Sequence, residues 1–181
     1  LLPSALTCDH APHWGEAALA PSVDRLIGLV GLLNWQRVRD SWLTGAVEVC
    51  LEHLASLPMH DAHTIQNAFC LLESVARTRD VSALYARLAE ALTSARFFVP
   101  QAPATAYGLT PLHLAPAQDS YCRPLFGMQQ IEAHLDDLAA NQQPDGGWPI
   151  AWEPPGETAA WSWRAHRTVS ALTILRAYGR L

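Results

Sequence analysis

The sequence predicts an all-α fold, and two observations on its apolar residues support this. In six segments the apolar residues recur at steps of three and four, the spacing that places them on one face of a helix with about 3.6 residues per turn. No segment alternates apolar and polar residues for long enough to indicate a strand. The six apolar stripes begin at Val23, Leu43, Ile65, Val81, Met128 and Trp161.

Helix boundaries are predicted from capping residues. Asp40, Asp61 and Asp80 stand directly before apolar runs, where a carboxylate can accept hydrogen bonds from the free backbone N–H groups of a first helical turn. Pro58 predicts the end of the second helix, and Gly179 predicts the end of the last one. The signals therefore agree with the apolar spacing.

The connections differ in length. Those between the second, third and fourth predicted helices are only a few residues long, so these helices are expected to be antiparallel neighbours. Two connections are long, residues 97–125 and residues 142–157, the second of which reads QQPDGGWPIAWEPPGE. Because long loops in a helical domain commonly carry function, functional residues are expected there.

Composition restricts the class of protein. The chain has 181 residues, of which 50% are apolar and 16% are charged, so residues 1–181 are predicted to form a single folded domain. A net charge of −5 argues against a nucleic-acid partner. No apolar run is long enough to span a membrane and no basic segment precedes an apolar one at the start, so the expected location is cytoplasmic.

The second long loop contains a recognisable motif, Asn141-Gln-Gln-Pro-Asp-Gly-Gly-Trp148. Its Asp-Gly-Gly sequence is typical of a tight turn, after which the indole can fold back onto the helix ends. Gln142, Gly146 and Trp148 resemble the second half of the QW-type repeat found in squalene–hopene cyclases, oxidosqualene cyclases and protein prenyltransferase β-subunits. The aromatic residue of the first half is replaced by leucine here.

This resemblance implies an α/α toroid, in which antiparallel helical hairpins surround a central apolar cavity. It covers about residues 128–181, and residues 109–119 and 148–155 also resemble an uncharacterised bacterial branch of the superfamily. Six helices make about half of such a ring. The ring is therefore expected to be completed by further N-terminal sequence or by a second subunit, since half a ring would expose a large apolar patch.

The catalytic motifs of that superfamily are absent from the sequence. There is no DxDD, the motif with which some cyclases protonate an alkene, and Asp136-Asp137 begins a DDxxD motif without its third acid. No GxSxG elbow, GxGxxG motif or phosphate-binding loop occurs. No cofactor is predicted, and whether the chain is an enzyme stays open.

Two residue sets contain the types that bind transition metals. Asp119, Cys122 and His166 match the zinc-ligand types of protein prenyltransferases, although their spacing differs from that family. Cys8, His10 and His13 form a second set near the start of the sequence. A structural role is the simpler interpretation of both, so no metal site is predicted.

Candidate functional residues lie in or beside the two long loops. The predicted acid–base residues are Asp119, Glu153 and His166, and the predicted ligand-binding residues are Tyr121, Trp152, Trp161 and Arg164. Clustered indoles can line an apolar cavity or stabilise a cation through their faces, as terpenoid cyclases do with carbocations. The expected function is to bind, and as an enzyme to cyclise or rearrange, an isoprenoid-like or other hydrophobic small molecule. The alternative is a non-catalytic helical-repeat module for protein–protein interaction.

Overall fold

The structure, a computed structural model, describes residues 23–181 and is helical, as predicted. Within these residues no strand forms, and only two isolated β-bridges occur. The α-helices are α1 (Val23–Trp35), α2 (Ser41–Ser56), α3 (Ala62–Val75), α4 (Ser82–Leu92), α5 (Pro111–Leu114), α6 (Met128–Ala140) and α7 (Glu157–Ala177). The all-α class is confirmed, and the toroidal arrangement stays a prediction.

The predicted capping residues occupy their expected positions. Each of the three aspartates accepts a hydrogen bond from a backbone N–H two residues further on. The pairs are Asp40 and Trp42 at 3.3 Å, Asp61 and His63 at 2.9 Å, and Asp80 and Ser82 at 3.0 Å. Gly179 follows α7 with a φ of 69°, a left-handed conformation that favours glycine. These sequence signals are confirmed.

The first half of the core forms where α1 packs on α3 and α2. The two backbones of α1 and α3 approach closely at Gly31, where an added Cβ would lie 2.7 Å from the backbone nitrogen of Leu71. Ile27 and Val30 are fully buried on either side of this contact. Glycine is therefore required at position 31 because any larger residue would meet main-chain atoms.

A stripe of polar side chains on α6 holds the proline-rich loop of the second half. Gln130 and His134 donate hydrogen bonds to the carbonyl oxygen of Pro100 at 2.8 and 3.1 Å. Asp137, on the same face of the helix, accepts a bond from the backbone N–H of Ala104 at 2.9 Å. The loop is thereby fixed to the helix without a strand or a second helix beside it.

The long connection 97–125 contains structure that the sequence analysis did not predict. It includes α5 and a 3₁₀ helix, Arg123–Leu125. A reciprocal capping box stabilises α5: the Thr110 side chain accepts from the third helical residue, His113, whose ring accepts from the backbone of Thr110. Pro111 stands at the first helical position, where its missing N–H costs nothing.

The predicted buried face of α7 is confirmed only at its C-terminal end. The apolar spacing predicts Trp161, Val169 and Leu175 on one buried stripe, and Leu175 is buried, but Trp161 and Val169 are 62% and 64% exposed. Ala171 and Ile174 are buried instead. Apolar residues occur all around this helix, so their spacing alone does not select a face.

Helices α1 and α2 carry exposed apolar side chains. This α1–α2 apolar face consists of Leu26, Leu29, Leu32, Trp35, Val38, Trp42 and Val49. None of the helices between residues 23 and 181 combines the length and the apolar character needed to cross a membrane.

Two glycines in helices predict opposite effects of the same substitution. Gly31→Ala is expected to lower the free energy of unfolding by about 1–3 kcal/mol, because the new methyl group would collide with the α3 backbone. Gly45→Ala on α2, where an added Cβ meets nothing within 4 Å, is expected to raise it by up to about 1 kcal/mol. Urea unfolding of both variants tests this, and equal effects would contradict the close α1–α3 approach.

Candidate ligand-binding site

Six aromatic rings from four parts of the chain form a continuous surface cluster. The aromatic cluster consists of His63, Phe97, Tyr107, Trp152, Trp163 and His166. In the order given, the centroids of successive rings lie 5.2–6.0 Å apart, and the shortest distance is that between Trp152 and Trp163. Most pairs meet edge to face, a favourable geometry for aromatic rings.

Phe97 takes part in this cluster with a strained backbone. Its φ is 60°, a left-handed conformation that is rare for a bulky residue, and its side chain is 40% exposed. The backbone N–H of Leu109 donates to the Phe97 carbonyl at 2.7 Å, and Val99 N–H donates to the Leu109 carbonyl at 2.8 Å. Because core packing does not explain an exposed ring on a strained backbone, this position is a candidate functional one.

Next to the cluster lies a cavity of about 130 Å³ between α5, α6 and α7. Its lining includes apolar residues such as Leu112, Trp148 and Ile174. It also includes the charged residues Arg167 and Asp137. The cavity is therefore large enough for a small polar group or a few water molecules, and it offers such a group hydrogen-bonding partners.

His113 presents one acceptor to two donors in this cavity. Its Nδ1 lies 3.0 Å from the backbone nitrogen and 2.9 Å from the hydroxyl oxygen of Thr110, and its Nε2 lies 3.2 Å from Nη1 of Arg167. The backbone N–H of Thr110 and the guanidinium of Arg167 can only donate, while a neutral imidazole has a single accepting nitrogen. Whichever ring nitrogen carries the proton, either the backbone N–H of Thr110 or the Nη1–H of Arg167 therefore lacks an acceptor on this ring.

The histidine ring is neutral at ordinary pH. Burial, with the nearby positive charge of Arg167 adding to it, lowers the pKa of His113 from 6.5 to about 4. Protonation would add a charge to a site that already holds a guanidinium.

Arg167 is a half-buried cation without an acidic partner among the described residues. None of the ion pairs found between residues 25 and 181 includes it. Its Nε is buried and has no hydrogen-bond partner, and burial lowers the pKa of its guanidinium. Asp137, which also lines the cavity, already accepts from Ala104 N–H and from the Asn141 side chain. The cavity thus has more donors than acceptors.

The aromatic cluster and the cavity are adjacent. Trp163 lies one helical turn before Arg167 on α7, so the two side chains share a face. Trp152 directly follows Ala151, a residue of the cavity wall. We treat the cluster and the cavity as one candidate site.

The turn that resembles the QW repeat contributes Trp148 to the lining of the cavity. The Gln142 side chain donates to the carbonyl of Gly146 at 3.0 Å, and Gly146 has a φ of 85°. Trp148 is 2% exposed, and its Nε1 donates to the Leu138 carbonyl at 2.7 Å. Its backbone N–H donates to Oγ1 of Thr168 at 3.1 Å. The expectation that this indole folds back onto the helix ends is confirmed.

The predicted ligand-binding residues fall in three places. Trp152 belongs to the aromatic cluster, as does His166, which was predicted as an acid–base residue. Trp161 and Arg164 line a separate open groove of about 580 Å³, where Arg164 pairs with Asp145. Tyr121 packs its ring against Tyr85, with centroids 5.1 Å apart.

The predicted acid–base residues do not line the cavity or the groove. Asp119 and Glu153 are exposed, and His166 is absent from both linings as well. The negative charge of Asp119 adds to burial in raising the pKa of Glu73 on α3, so Asp119 lies near that helix. A catalytic role for these three residues stays a prediction.

The described residues contain no group of three His, Cys, Asp or Glu side chains placed to hold a metal ion, and this includes Asp119, Cys122 and His166. Burial raises the pKa of the Cys122 thiol to about 12, which disfavours the thiolate that a metal requires. The second set of predicted ligands, Cys8, His10 and His13, lies outside the described residues.

Six residues of the site are not among the predicted ones: His63, Phe97, Tyr107, His113, Trp163 and Arg167. The motif Thr-Pro-Leu-His, in which a capping box with proline at its first position begins a helix, is a signal that could have found His113. The sequence gives no signal for Arg167, because its burial depends on which face of α7 turns inward. Phe97 and Tyr107 lie ten positions apart in one loop, and no local spacing predicts the contact of their rings.

Comparison of the chain with family models, with curated proteins and with solved structures gives no match. The resemblance to the cyclase and prenyltransferase superfamily is therefore neither supported nor contradicted by these comparisons. The site must be interpreted from its own geometry.

His113 predicts a pH dependence of stability. Its pKa is about 4 in the folded chain and 6.5 when unperturbed, so between these values the unfolded chain binds a proton that the folded chain does not. The free energy of unfolding is expected to fall by roughly 3 kcal/mol as the pH is lowered from 7 to 4 through this group. Urea unfolding at several pH values measures the fall.

The matched control is His53, an exposed histidine on α2. His113→Gln is expected to flatten the pH dependence between 7 and 4, whatever its effect on absolute stability, while His53→Gln is expected to retain the slope of the natural sequence. An unchanged slope in His113→Gln would show that this ring is not held neutral by the fold.

Proposed function

We propose that the chain binds a flat, apolar small molecule on the aromatic cluster. The observation that carries this proposal is Phe97, whose ring is held on the surface beside Tyr107 and His63 by a strained backbone conformation. Left-handed backbone at a bulky residue costs about 1–3 kcal/mol and persists where the surrounding structure imposes it, often at ligand sites. Exposed aromatic faces bind flat apolar ligands by stacking.

The size of the cavity determines how such a ligand lies. At about 130 Å³ the cavity is smaller than the roughly 300–1,000 Å³ of typical ligand pockets. An isoprenoid-like or other hydrophobic body therefore rests on the aromatic cluster, and only a small group enters the cavity beside Arg167. This retains the hydrophobic ligand that the sequence predicts and places its body outside the helices.

The geometry supports binding rather than chemistry. The cluster contributes rings, and the three predicted acid–base residues share no site with one another. Four points stay predictions: a transformation of the ligand, the kinship with terpenoid cyclases and prenyltransferases, the bacterial origin that this kinship implies, and the cytoplasmic location.

The neutral aromatic probe 2-naphthamide tests the proposed function. Trp163→Leu is expected to weaken its binding roughly two- to tenfold, because an aromatic contact stabilises by about 0.5–1.5 kcal/mol beyond its buried area. Trp152→Leu is expected to act in the same direction. Isothermal titration calorimetry measures the affinities.

Two further tryptophans serve as controls. Trp42→Leu removes an exposed indole from α2, away from the cluster, and is expected to leave binding unchanged. Trp161→Leu removes the indole of the neighbouring groove. Binding that is lost in Trp161→Leu and retained in Trp163→Leu would move the site to the groove, and absence of any binding would contradict the proposal.

A second candidate function is self-association through the α1–α2 apolar face. The observation that favours it is the run from Leu26 to Trp35, LIGLVGLLNW, which carries no charged residue and exposes several large side chains. Charge depletion and exposed apolar area are typical of interfaces between identical subunits. We propose a second copy of this chain as the occupant, in agreement with the homo-oligomer expected from the sequence.

Leu29→Gln combined with Leu32→Gln tests this second function, because both side chains are about half exposed and contribute little to the core. The double variant is expected to sediment as a monomer at concentrations where the natural sequence forms a dimer. Val169→Gln, which changes an exposed residue of α7, is the control and is expected to leave the dimer intact. A monomeric natural sequence in analytical ultracentrifugation would dismiss the proposal.

A further inference from the structure

The cavity beside the aromatic cluster is short of hydrogen-bond acceptors. Arg167 Nε is buried without a partner, and the Nη1 of the same residue approaches a ring nitrogen of His113 at 3.2 Å. The other ring nitrogen faces the N–H of Thr110, which can only donate, so the single lone pair of the ring cannot serve both. At least two N–H groups of the cavity wall therefore lack an acceptor from the protein.

The same lining carries a cation and a carboxylate that do not pair with each other. Arg167 forms no ion pair with a described carboxylate. Asp137, the acidic residue of the lining, has one carboxylate oxygen bonded to Ala104 N–H at 2.9 Å and the other to Asn141 Nδ2 at 3.0 Å. A buried cation and unpaired donors are each costly, and one anion with two oxygens would satisfy both.

We infer that the cavity binds the carboxylate of the ligand whose apolar body rests on the aromatic cluster. This inference rests on the proposed function and specifies its ligand class, an aromatic or other flat apolar monocarboxylic acid. One carboxylate oxygen accepts from the Arg167 guanidinium. The other accepts from the Nε2–H of His113, because the Nδ1 of this ring accepts from the backbone N–H of Thr110. Trp163, one turn earlier on α7, lies under the body of the same molecule.

A carboxylate fits this cavity better than a phosphate does. The lining has one guanidinium, two imidazoles and one carboxylate, and the repulsion by Asp137 is about twice as strong for a dianion as for a monoanion. The cavity volume of about 130 Å³ also suits a planar group of three heavy atoms. The hydroxyl group of Ser170, which lines the same cavity, can donate to a monoanion as well.

Three probes with the same naphthyl body test the inference: 2-naphthoate, neutral 2-naphthamide and 2-naphthyl phosphate. By calorimetry, the natural sequence is expected to bind 2-naphthoate about tenfold or more tightly than 2-naphthamide. Arg167→Gln is expected to abolish this difference by weakening 2-naphthoate alone. Arg176→Gln removes a positive charge from an exposed position of the same helix and is expected to behave as the natural sequence does.

The outcomes separate the two proposals. Equal affinity for 2-naphthoate and 2-naphthamide overturns the carboxylate site and leaves binding on the aromatic cluster intact. Absence of binding by 2-naphthamide, with 2-naphthoate bound independently of Trp163, overturns the proposed function instead. Tighter binding of 2-naphthyl phosphate overturns the choice of a carboxylate. The affinities of the three probes for the natural sequence need no variant, so they test the carboxylate site even where Arg167→Gln does not fold.

Discussion

The candidate site depends on the burial of one indole, that of Trp148. Its side-chain N–H bonds to the carbonyl of Leu138 near the end of α6, and its backbone N–H bonds to Thr168 on α7. A single residue thus attaches the loop 141–156 to both helices. Because the ring is almost fully buried, its packing adds several kcal/mol to these two hydrogen bonds. The loop then holds Trp152 against Tyr107 and Trp163, and this contact joins the two halves of the aromatic cluster.

A second constraint positions the other half of the cluster. The segment before Phe97 is tied to the start of α3, since Arg96 N–H bonds to the His60 carbonyl and Ala62 N–H bonds to the Arg96 carbonyl. With both sides of Phe97 fixed by backbone hydrogen bonds, the residue has no freedom to leave its left-handed conformation. The strain is therefore compensated by regular main-chain contacts, and the exposed ring stays beside His63. Rings held in this way lose little entropy when a ligand stacks on them.

The sequence predicts those parts of the structure that depend on interactions between residues close together in the chain. Helix positions follow from apolar spacing, and the starts of α2, α3 and α4 follow from aspartates whose carboxylates bond within two residues. The turn at Gly146 and the burial of Trp148 also follow from a short motif. What decides between two faces of a helix is not local, and for this reason the predicted buried face of α7 is confirmed only at its C-terminal end.

The candidate site could be predicted only in part, for the same reason. Trp152 and His166 were found because tryptophans cluster in a loop that is long enough to be noticed. Phe97 and Tyr107 come from another loop, and the contact of Tyr107 with Trp152 is made across a sequence distance of more than forty residues. Arg167 was missed because a cation on a helix normally faces water, and its burial is visible only once His113 is known to lie opposite.

The charge of Arg167 finally distinguishes between the functions considered for this cavity. Cyclisation of an isoprenoid passes through carbocations, which need aromatic faces and the absence of other positive charge. Arg167 lies half-buried without an ion pair to any described carboxylate, and Asp137 of the same lining is bonded to Ala104 and Asn141 instead. A carbocation formed beside the guanidinium would therefore be raised in energy. The same charge lowers the energy of a bound anion, and the unpaired N–H groups around it can donate hydrogen bonds to that anion. The electrostatics of the cavity therefore favour holding an acid over generating a cation, although the aromatic rings beside it would suit either.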